Sequence, residues 1–357
     1  MRVLFLVTLV LILVKNTFSQ NKNDSLEFQR YFDIAYKLRN TNVDSSFFWL
    51  NKCEEKAQLS GKNEWLAKVY NLKGILLYKQ NNYYASIIEL QKALKYTNNK
   101  DLQGKIFINL GNTLSDLHYN YSAKMFYEMA VRNFNETQNY QFLVRALMNL
   151  SAEEMNLKMV VPARNHLKLA LYYAREYGYM EEEAMCLNNL SAIFVFTKQS
   201  DSAARYIYQS FNIYENLENY YGLADAYLTA IALHLDKKEF NYAKALIDLA
   251  DSIIDKLKYL DGKKNITEEK VSYYLLTNDA ENAYKYFNEF IVLLDSIEKN
   301  KKIDNLQNIQ QPLNNNDEKS NNKSNNLLIS WIQLMILILF SVIIVYFQIK
   351  NYRNVKE

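Results

Sequence analysis

Apolar and polar residues along the middle of the chain follow one pattern that recurs about every forty positions. Around Asn109, the residues Phe107, Leu110 and Leu114 stand at i, i+3 and i+7, a spacing that puts three apolar side chains on one face of a helix. A second apolar stripe follows, in which the bulky Tyr127 is flanked by small residues on both sides. Each unit is therefore predicted to be a pair of amphipathic helices.

The same pair of stripes can be followed in seven registers. The reference residue of each first helix recurs at steps of 40, 37, 40, 40, 40 and 40 positions: Ile34, Gly74, Gly111, Ser151, Ser191, Ile231 and Val271. One helical hairpin cannot cover its apolar face alone, whereas stacked neighbours bury that face between them. The sequence therefore predicts an all-α solenoid of six to seven helical hairpins over residues 20–300.

The central units resemble the tetratricopeptide repeat (TPR). The residues that carry the resemblance are Gly111, Ala123, Tyr127 and Ala130 and their equivalents in the other central units. The resemblance covers residues 25–299 and implies a right-handed superhelical solenoid. Two features depart from the family, because its period is about 34 residues and its unit-ending proline is missing here. We expect the second helix of each unit to be about two turns longer than in the family. Units of this length resemble the TPR sensor regions of bacterial signalling proteins.

Both ends of the chain are apolar. Residues 3–14 carry one polar member, Thr8, and the small residues Thr17 and Ser19 follow near a plausible cleavage point, which is the organisation of a secretory signal peptide over residues 1–19. An uncleaved signal anchor is the alternative. Residues 327–347 carry no charge, and a helix of that length spans about 31 Å, so they are predicted to form a transmembrane helix.

The segment between the solenoid and this span is rich in asparagine. Nine of the 22 residues from Asn305 to Asn326 are Asn, so residues 301–326 are predicted to be a flexible linker. A continuation of the last helix is the alternative for the first ten of them. Residues 348–357 are a short, mainly basic tail, which the positive-inside tendency places in the cytoplasm. We therefore expect a single-pass protein of the bacterial inner membrane with periplasmic repeats.

Composition and motifs narrow the classes of function. A net charge of +3 over 357 residues and an export signal together disfavour nucleic acid as a partner. The three histidines, His118, His166 and His234, lack a Cys or His partner at metal-ligand spacing, and no phosphate loop, nucleophile elbow or HExxH motif occurs. We expect no cofactor, no metal and no enzymatic activity. The 7 Gly and 2 Pro also predict long helices with few tight turns.

The face formed by the first helices is the remaining candidate site, because the TPR resemblance implies that these helices line a concave groove that binds peptides. The groove-side candidates are Lys68, Asn71, Asn109, Asn112, Arg145, Asn149, Asn188 and Asn189. Asn amides can pair with an extended backbone, and Lys or Arg can hold a carboxylate. A structural role is the alternative for the three Asn-Leu asparagines, and the family's full carboxylate clamp is lacking. The run from Glu181 to Glu183 is predicted to be a solvated helix start.

Two functions agree with these features. The first is a non-enzymatic, membrane-tethered scaffold that binds a peptide or protein partner in its groove. The alternative is the sensor portion of a bacterial signal-transduction regulator, of the kinase or helix-turn-helix type, that lacks its output domain and works through a membrane or cytoplasmic partner. Gln333 would contact a partner helix in the second hypothesis, whereas a simple anchor needs only apolar length. An exported hydrolase is disfavoured because no catalytic constellation is found.

Overall fold

A computed structural model describes the backbone of residues 24–310 and the side chains of residues 24–296. Fourteen helices and no strand occur in this range. The helices are α1 (24–38), α2 (Val43–Leu59), α3 (Asn63–Lys79), α4 (Tyr83–Lys95), α5 (Lys100–Asp116), α6 (Asn120–Glu136), α7 (Tyr140–Asn156), α8 (Val160–Glu176), α9 (Met180–Phe196), α10 (Ser200–Asn216), α11 (Tyr220–Asp236), α12 (Phe240–Leu257), α13 (Leu260–Leu276) and α14 (Ala280–Gln310).

The helices pair in sequence as seven hairpins, and their lengths account for the forty-residue period. In the unit formed by α7 and α8, each helix has 17 residues and each connection has three, so the unit repeats after 40 residues. The prediction that the extra residues of each unit lie in its second helix is therefore wrong, because the two helices of this unit are equally long. The exceptional step of 37 arises at α4, which has only 13 residues and is followed by a four-residue connection.

The connections are tight turns, contrary to the expectation from the low glycine count. After α5, His118 adopts a left-handed φ of 62°, and the N–H of Tyr119 donates to the carbonyl of Leu114 at 2.8 Å. This is the Schellman arrangement that commonly ends helices. Nine non-glycine residues of the described chain take such a positive φ. These nine turns therefore form without glycine, at a cost of roughly 1–2 kcal/mol for each left-handed residue. Gly61 and Gly178 take the same conformation in two other turns.

In the second to fifth hairpins, the first helix has a small residue at the reference position, which is Gly74, Gly111, Ser151 or Ser191. A Cβ added to Gly111 would lie 2.5 Å from the ring of Tyr127, so only glycine leaves room for that ring. In the next hairpin, Ser151 occupies the same position and its hydroxyl donates to the carbonyl of Ala163 at 2.9 Å. Ala123 and Ala163 are completely buried. These contacts confirm the predicted register of the central units.

The first hairpin departs from the predicted register by one residue. Ala35 is fully buried and its carbonyl accepts a hydrogen bond from Ser46 at 2.7 Å, whereas Ile34 is only half-buried. Ala35 therefore takes the place that Gly74 has in the second hairpin. The turn after α1 begins early, with the N–H of Thr41 bonded to the carbonyl of Leu38. One fewer residue then separates the two packing positions.

The hairpins belong to a compact unit that extends to Asp304, and residues from Asn305 onward form a second unit. The backbone of α14 is helical to Gln310, as in the alternative for the start of the predicted linker. Among residues 24–310, no helix combines the length and apolar character that crossing a membrane requires. The predicted signal peptide, the span 327–347 and the tail 348–357 lie outside the described residues.

Candidate functional site

The first helices of the hairpins form one continuous row. Neighbouring first helices contact each other directly from α3 through α5, α7, α9 and α11 to α13, whereas no two second helices in the described chain approach to the same extent. At the start of the row, the ring of Phe28 in α1 stacks on Trp65 in α3 at a centroid distance of 4.3 Å. We call α1, α3, α5, α7, α9, α11 and α13 the inner row.

The N-terminal part of the inner row contains a cavity of about 360 Å³. Four successive first helices line this N-terminal cavity, which is formed by Gln29, Phe32, Tyr36, Lys68, Asn71, Ile75, Leu102, Lys105, Ile108, Asn109 and Phe142. Apolar and aromatic side chains make up more than half of this wall, and no acidic side chain contributes to it. Three of the eight predicted groove residues, Lys68, Asn71 and Asn109, therefore meet at one site.

Two lysines in this cavity have no carboxylate partner among the described residues. Lys68 is exposed and makes no ion pair, and Lys105 has its ammonium 4.4 Å from the centroid of the Phe142 ring. A cation in that position is attracted by the face of the ring, but all its hydrogen-bond donors are still available. The cavity therefore presents two positive charges beside an apolar wall.

The asparagines of the inner row connect successive helices. The amide of Asn109 donates to Oδ1 of Asn71 at 2.9 Å, and the amide of Asn149 donates to Oδ1 of Asn112 at 3.2 Å. Oδ1 of Asn112 also accepts a hydrogen bond from the hydroxyl of Tyr127 at 2.8 Å. The structural alternative thus describes Asn109 and Asn149, which join α3 to α5 and α5 to α7.

The last two predicted groove asparagines lie on α9 and are not joined in this way. The side chain of Asn189 makes no hydrogen bond among the described residues, and Oδ1 of Asn188 is buried without a partner there. Neither residue reaches the N-terminal cavity. Their amides are the part of the asparagine series that is not used by helix-to-helix contacts.

Arg145 is occupied by a carboxylate of the next hairpin. Its guanidinium donates to Oε1 of Glu182 from Nη2 at 2.7 Å and from Nε at 3.0 Å. Glu182 is only 5 % exposed, so the prediction that the run from Glu181 to Glu183 is solvated is wrong for its middle member. Because this pair neutralises Arg145, the arginine adds no unpaired positive charge to the inner row.

The C-terminal part of the inner row is acidic. Burial raises the pKa of Asp225 in α11, whose carboxylate accepts one long hydrogen bond of 3.4 Å from Tyr259. Burial, with Glu268 as a smaller cause, raises the pKa of Glu269 in α13 to about 7. No lysine or arginine of the described chain pairs with Asp225, Glu268 or Glu269. These three carboxylates are called the acidic end below.

One register position shows the change of charge along the row. Six residues before the reference position, with Ala35 as the reference in α1, the inner row has Gln29, Lys68, Lys105, Arg145, Met185, Asp225 and Asn265. The sequence interpretation included Lys68 and Arg145 but missed Lys105 and Asp225 at the same spacing. It also missed the part of the cavity wall that α1 contributes. Gln29 and Phe32 lie at groove-facing positions only when Ala35, and not Ile34, is the reference residue of α1.

Two of the three histidines form ordinary side-chain pairs. His234 is 7 % exposed, with Nδ1 2.6 Å from a carboxylate oxygen of Glu239 and Nε2 3.3 Å from the hydroxyl of Tyr208. Nδ1 of His166 lies 2.8 Å from the buried Glu154. Within residues 24–296, no group of His, Cys, Asp and Glu side chains is arranged to hold a metal ion.

Comparison with solved structures identifies the fold. The chain is similar to apo RapI, with a TM-score of 0.66 and 17% identity over 76% of this chain and 99% of that one. It is similar to a Rap protein complexed with Competence and Sporulation Factor, with a TM-score of 0.57 and 12% identity over 79% and 89% of the two chains. It also resembles a signal-transduction ATPase with a tetratricopeptide repeat sensor from Pyrococcus horikoshii, with a TM-score of 0.59 and 13% identity over 77% and 44%.

Sequence comparison gives no relative of this kind. No protein-family model matches the chain, and no curated protein matches it significantly. The structural similarities at this level of identity establish the fold alone. The described residues therefore have a tetratricopeptide-type helical repeat fold, as the sequence predicts.

Proposed function

We propose that this chain is a non-enzymatic scaffold that binds an extended segment of a peptide or protein partner along its inner row. The observation that carries the proposal is the N-terminal cavity, where Lys68 and Lys105 have no carboxylate partner beside an apolar wall. Pockets of this kind, mostly apolar with a few placed polar groups, are typical of binding sites. The preferred ligand has a large apolar side chain next to an acidic group.

The backbone of such a ligand would lie along the asparagines. Asn71 and Asn109 line the cavity and already use one donor and one acceptor between them. Each amide group has two donors and an oxygen with two lone pairs, so both side chains still have groups available for an extended backbone. A role in helix packing and a role in binding are therefore compatible for this pair.

The comparisons support a partner-binding role. A Rap protein with the same type of fold was solved in complex with Competence and Sporulation Factor, so repeats of this class accommodate a partner. We transfer from it only the type of function. The identity of the partner follows from the chemistry of the cavity, which favours an acidic and apolar segment.

We further propose the cellular arrangement predicted from the ends of the chain. Residues 1–19 act as a signal peptide, residues 327–347 span the bacterial inner membrane, and residues 348–357 lie in the cytoplasm, which leaves the repeats periplasmic. Alkaline phosphatase fused after Asn300 should then be active, and a fusion after Glu357 should be inactive. Activity of the second fusion alone would place the repeats in the cytoplasm and contradict this arrangement.

The alternative function is the sensor portion of a signal-transduction regulator. Its supporting observation is the similarity to the Pyrococcus horikoshii protein, whose repeats are described as a sensor. Replacing residues 327–347 by a polyleucine span of equal length distinguishes the two functions. A scaffold keeps its activity because it needs only an anchor, whereas a sensor that signals through Gln333 and a partner helix loses it.

The direct test of the proposed function is site-specific photo-crosslinking in cells that express the full chain. A photoreactive amino acid replaces Ile108, which lines the N-terminal cavity, or Met125, which is 50% exposed on the second helix α6. We expect a discrete covalent adduct at position 108 and none at position 125. The same adduct at both positions, or at position 125 alone, would contradict binding on the inner row.

A further inference from the structure

The two charged parts of the inner row are opposite in sign and both lack partners. Lys68 and Lys105 have no carboxylate partner in the described chain, and Asp225 and Glu269 have no cationic partner there. Lys270, which is next to Glu269 in α13, is paired with a different carboxylate, since its ammonium is 2.7 Å from Asp251 in α12. The inner row thus carries unpaired charge of one sign in its N-terminal part and of the other sign in its C-terminal part.

At the acidic end, uncompensated charge is costly for the isolated protein. Asp225 and Glu269 are partly covered, and their raised pKa values show that burial opposes their ionisation. Water solvates the charge of a partly buried carboxylate only in part, so a nearby cation stabilises its ionised form strongly. A bound positive group would supply this cation at one end, while a bound acid would serve the lysines at the other.

The separation of the two parts sets the length of a ligand that reaches both. Three steps between neighbouring first helices lead from Lys105 in α5 to Asp225 in α11. Packed helices lie about 8–10 Å apart, so the path is roughly 24–30 Å. An extended chain advances about 3.3 Å per residue and covers this path with roughly eight residues.

We propose that the groove is selective for a segment of opposite charges, with an acidic and apolar part at the N-terminal cavity and a basic part at the acidic end, about eight residues away. This inference rests on the proposed function, since it specifies the ligand of the same inner row. It gives the bound segment one orientation, because reversing the segment would bring like charges together. Charge complementarity of this kind contributes more to specificity than to total affinity.

Synthetic peptides test the inference with the full chain. The bipolar probe has Glu-Phe-Glu at one end, an eight-residue Ser/Ala spacer and Lys-Lys at the other, and is made in both chain directions with blocked termini. The matched probe replaces Lys-Lys by Ser-Ser. Fluorescence anisotropy gives each Kd. The tighter-binding direction of the bipolar probe is expected to bind at least fivefold better than its Ser-Ser counterpart, and a two-residue spacer should abolish that gain.

A double variant assigns the gain to the acidic end. Asp225→Asn with Glu269→Gln keeps the size of both side chains and removes their charges. It should reduce the affinity for the bipolar probe to that for the Ser-Ser probe, while the affinity for the Ser-Ser probe itself stays unchanged. Glu55→Gln with Asp44→Asn, on the second helix α2, is the matched control and should leave the fivefold gain intact.

The outcomes separate this inference from the proposed function. Equal affinities of the bipolar and Ser-Ser probes for the unmodified chain would overturn the inference, and binding of both at the lysines would still support the scaffold. A gain that survives the double variant would also overturn it. Absence of binding by every probe contradicts the inference too, and the cross-linking at position 108 then decides the proposed function independently.

Discussion

The two ends of the inner row have the same packing and opposite chemistry. At the N-terminal end, Lys68 and Lys105 line a cavity with aromatic walls, whereas at the C-terminal end Asp225 in α11, at the same register position, and Glu269 in α13 have no cationic partner among the described residues. The buried isoleucines five residues before the reference position correspond, since Ile106 in α5 and Ile266 in α13 are both 0% exposed. The repeat therefore keeps the residues that stack helices and varies those that face the groove, and the proposed function rests on the second set.

The largest expected effect tests the shared packing. Leu110→Ala in α5 and Ile266→Ala in α13 each remove a buried side chain and leave a cavity, so each should lower the free energy of unfolding by about 2–5 kcal/mol. Denaturant unfolding of the full chain measures both. If only Leu110→Ala is destabilising, the two ends are not packed alike and the comparison fails at its first step.

A smaller effect is expected from pH and belongs to the acidic end alone. The pKa of Glu269 rises from 4.5 to about 7 because of burial, so folding favours its protonated form. Its contribution to stability is therefore complete below about pH 4.5 and is lost as the pH rises through 7. Glu269→Gln should remove this loss and be more stable than the unmodified chain at pH 8 by about 1–3 kcal/mol.

The control for this pH effect is Glu55→Gln, because Glu55 is exposed on α2. Its unfolding free energy should change with pH between 4.5 and 8 as that of the unmodified chain does. Parallel pH profiles for Glu269→Gln and the unmodified chain would mean that Glu269 ionises in the folded protein as freely as in solvent.

The smallest effect separates the two groups of asparagines. Asn109→Ala removes a hydrogen bond to Asn71 and should cost about 0.5–1.5 kcal/mol, whereas Asn189→Ala should change stability by less than about 0.5 kcal/mol because it breaks no such bond. Thermal unfolding of both variants measures the difference. Equal destabilisation would show that Asn189 has a structural role after all.

Much of the fold can be predicted from the sequence, because the spacing of small and large apolar residues defines the repeat. Gly111, Ala123 and Tyr127 pack as their spacing predicts. The tight turns do not follow, since residues such as His118 and Gln138 adopt a left-handed φ that their side chains do not favour. Helix ends made in this way leave no glycine signal. The right-handed superhelix and the membrane span stay predictions.

The site is predictable only in part, for a different reason. Lys68, Asn71 and Asn109 meet in the cavity, but Asn112 and Asn149 pair with each other and Arg145 pairs with Glu182. Sequence periodicity gives the face on which a residue lies and not the neighbour that it contacts. Whether a groove-side charge is free or already neutralised depends on the adjacent hairpin, so only the structure distinguishes Lys105 from Arg145.

The central claim is that the unpaired lysines of the inner row bind the partner. Its most direct test is the Kd of the peptide with Glu-Phe-Glu at one end and Ser-Ser at the other, measured by fluorescence anisotropy for the full chain and for Lys68→Glu with Lys105→Glu. Lys52→Glu with Lys95→Glu, two exposed lysines on the second helices α2 and α4, makes the same change in net charge. Each charge-assisted contact is worth about 1.5–3 kcal/mol, so the inner-row variant should weaken binding roughly 100-fold or more and the control less than about threefold. Equal Kd values for the two double variants would contradict the claim.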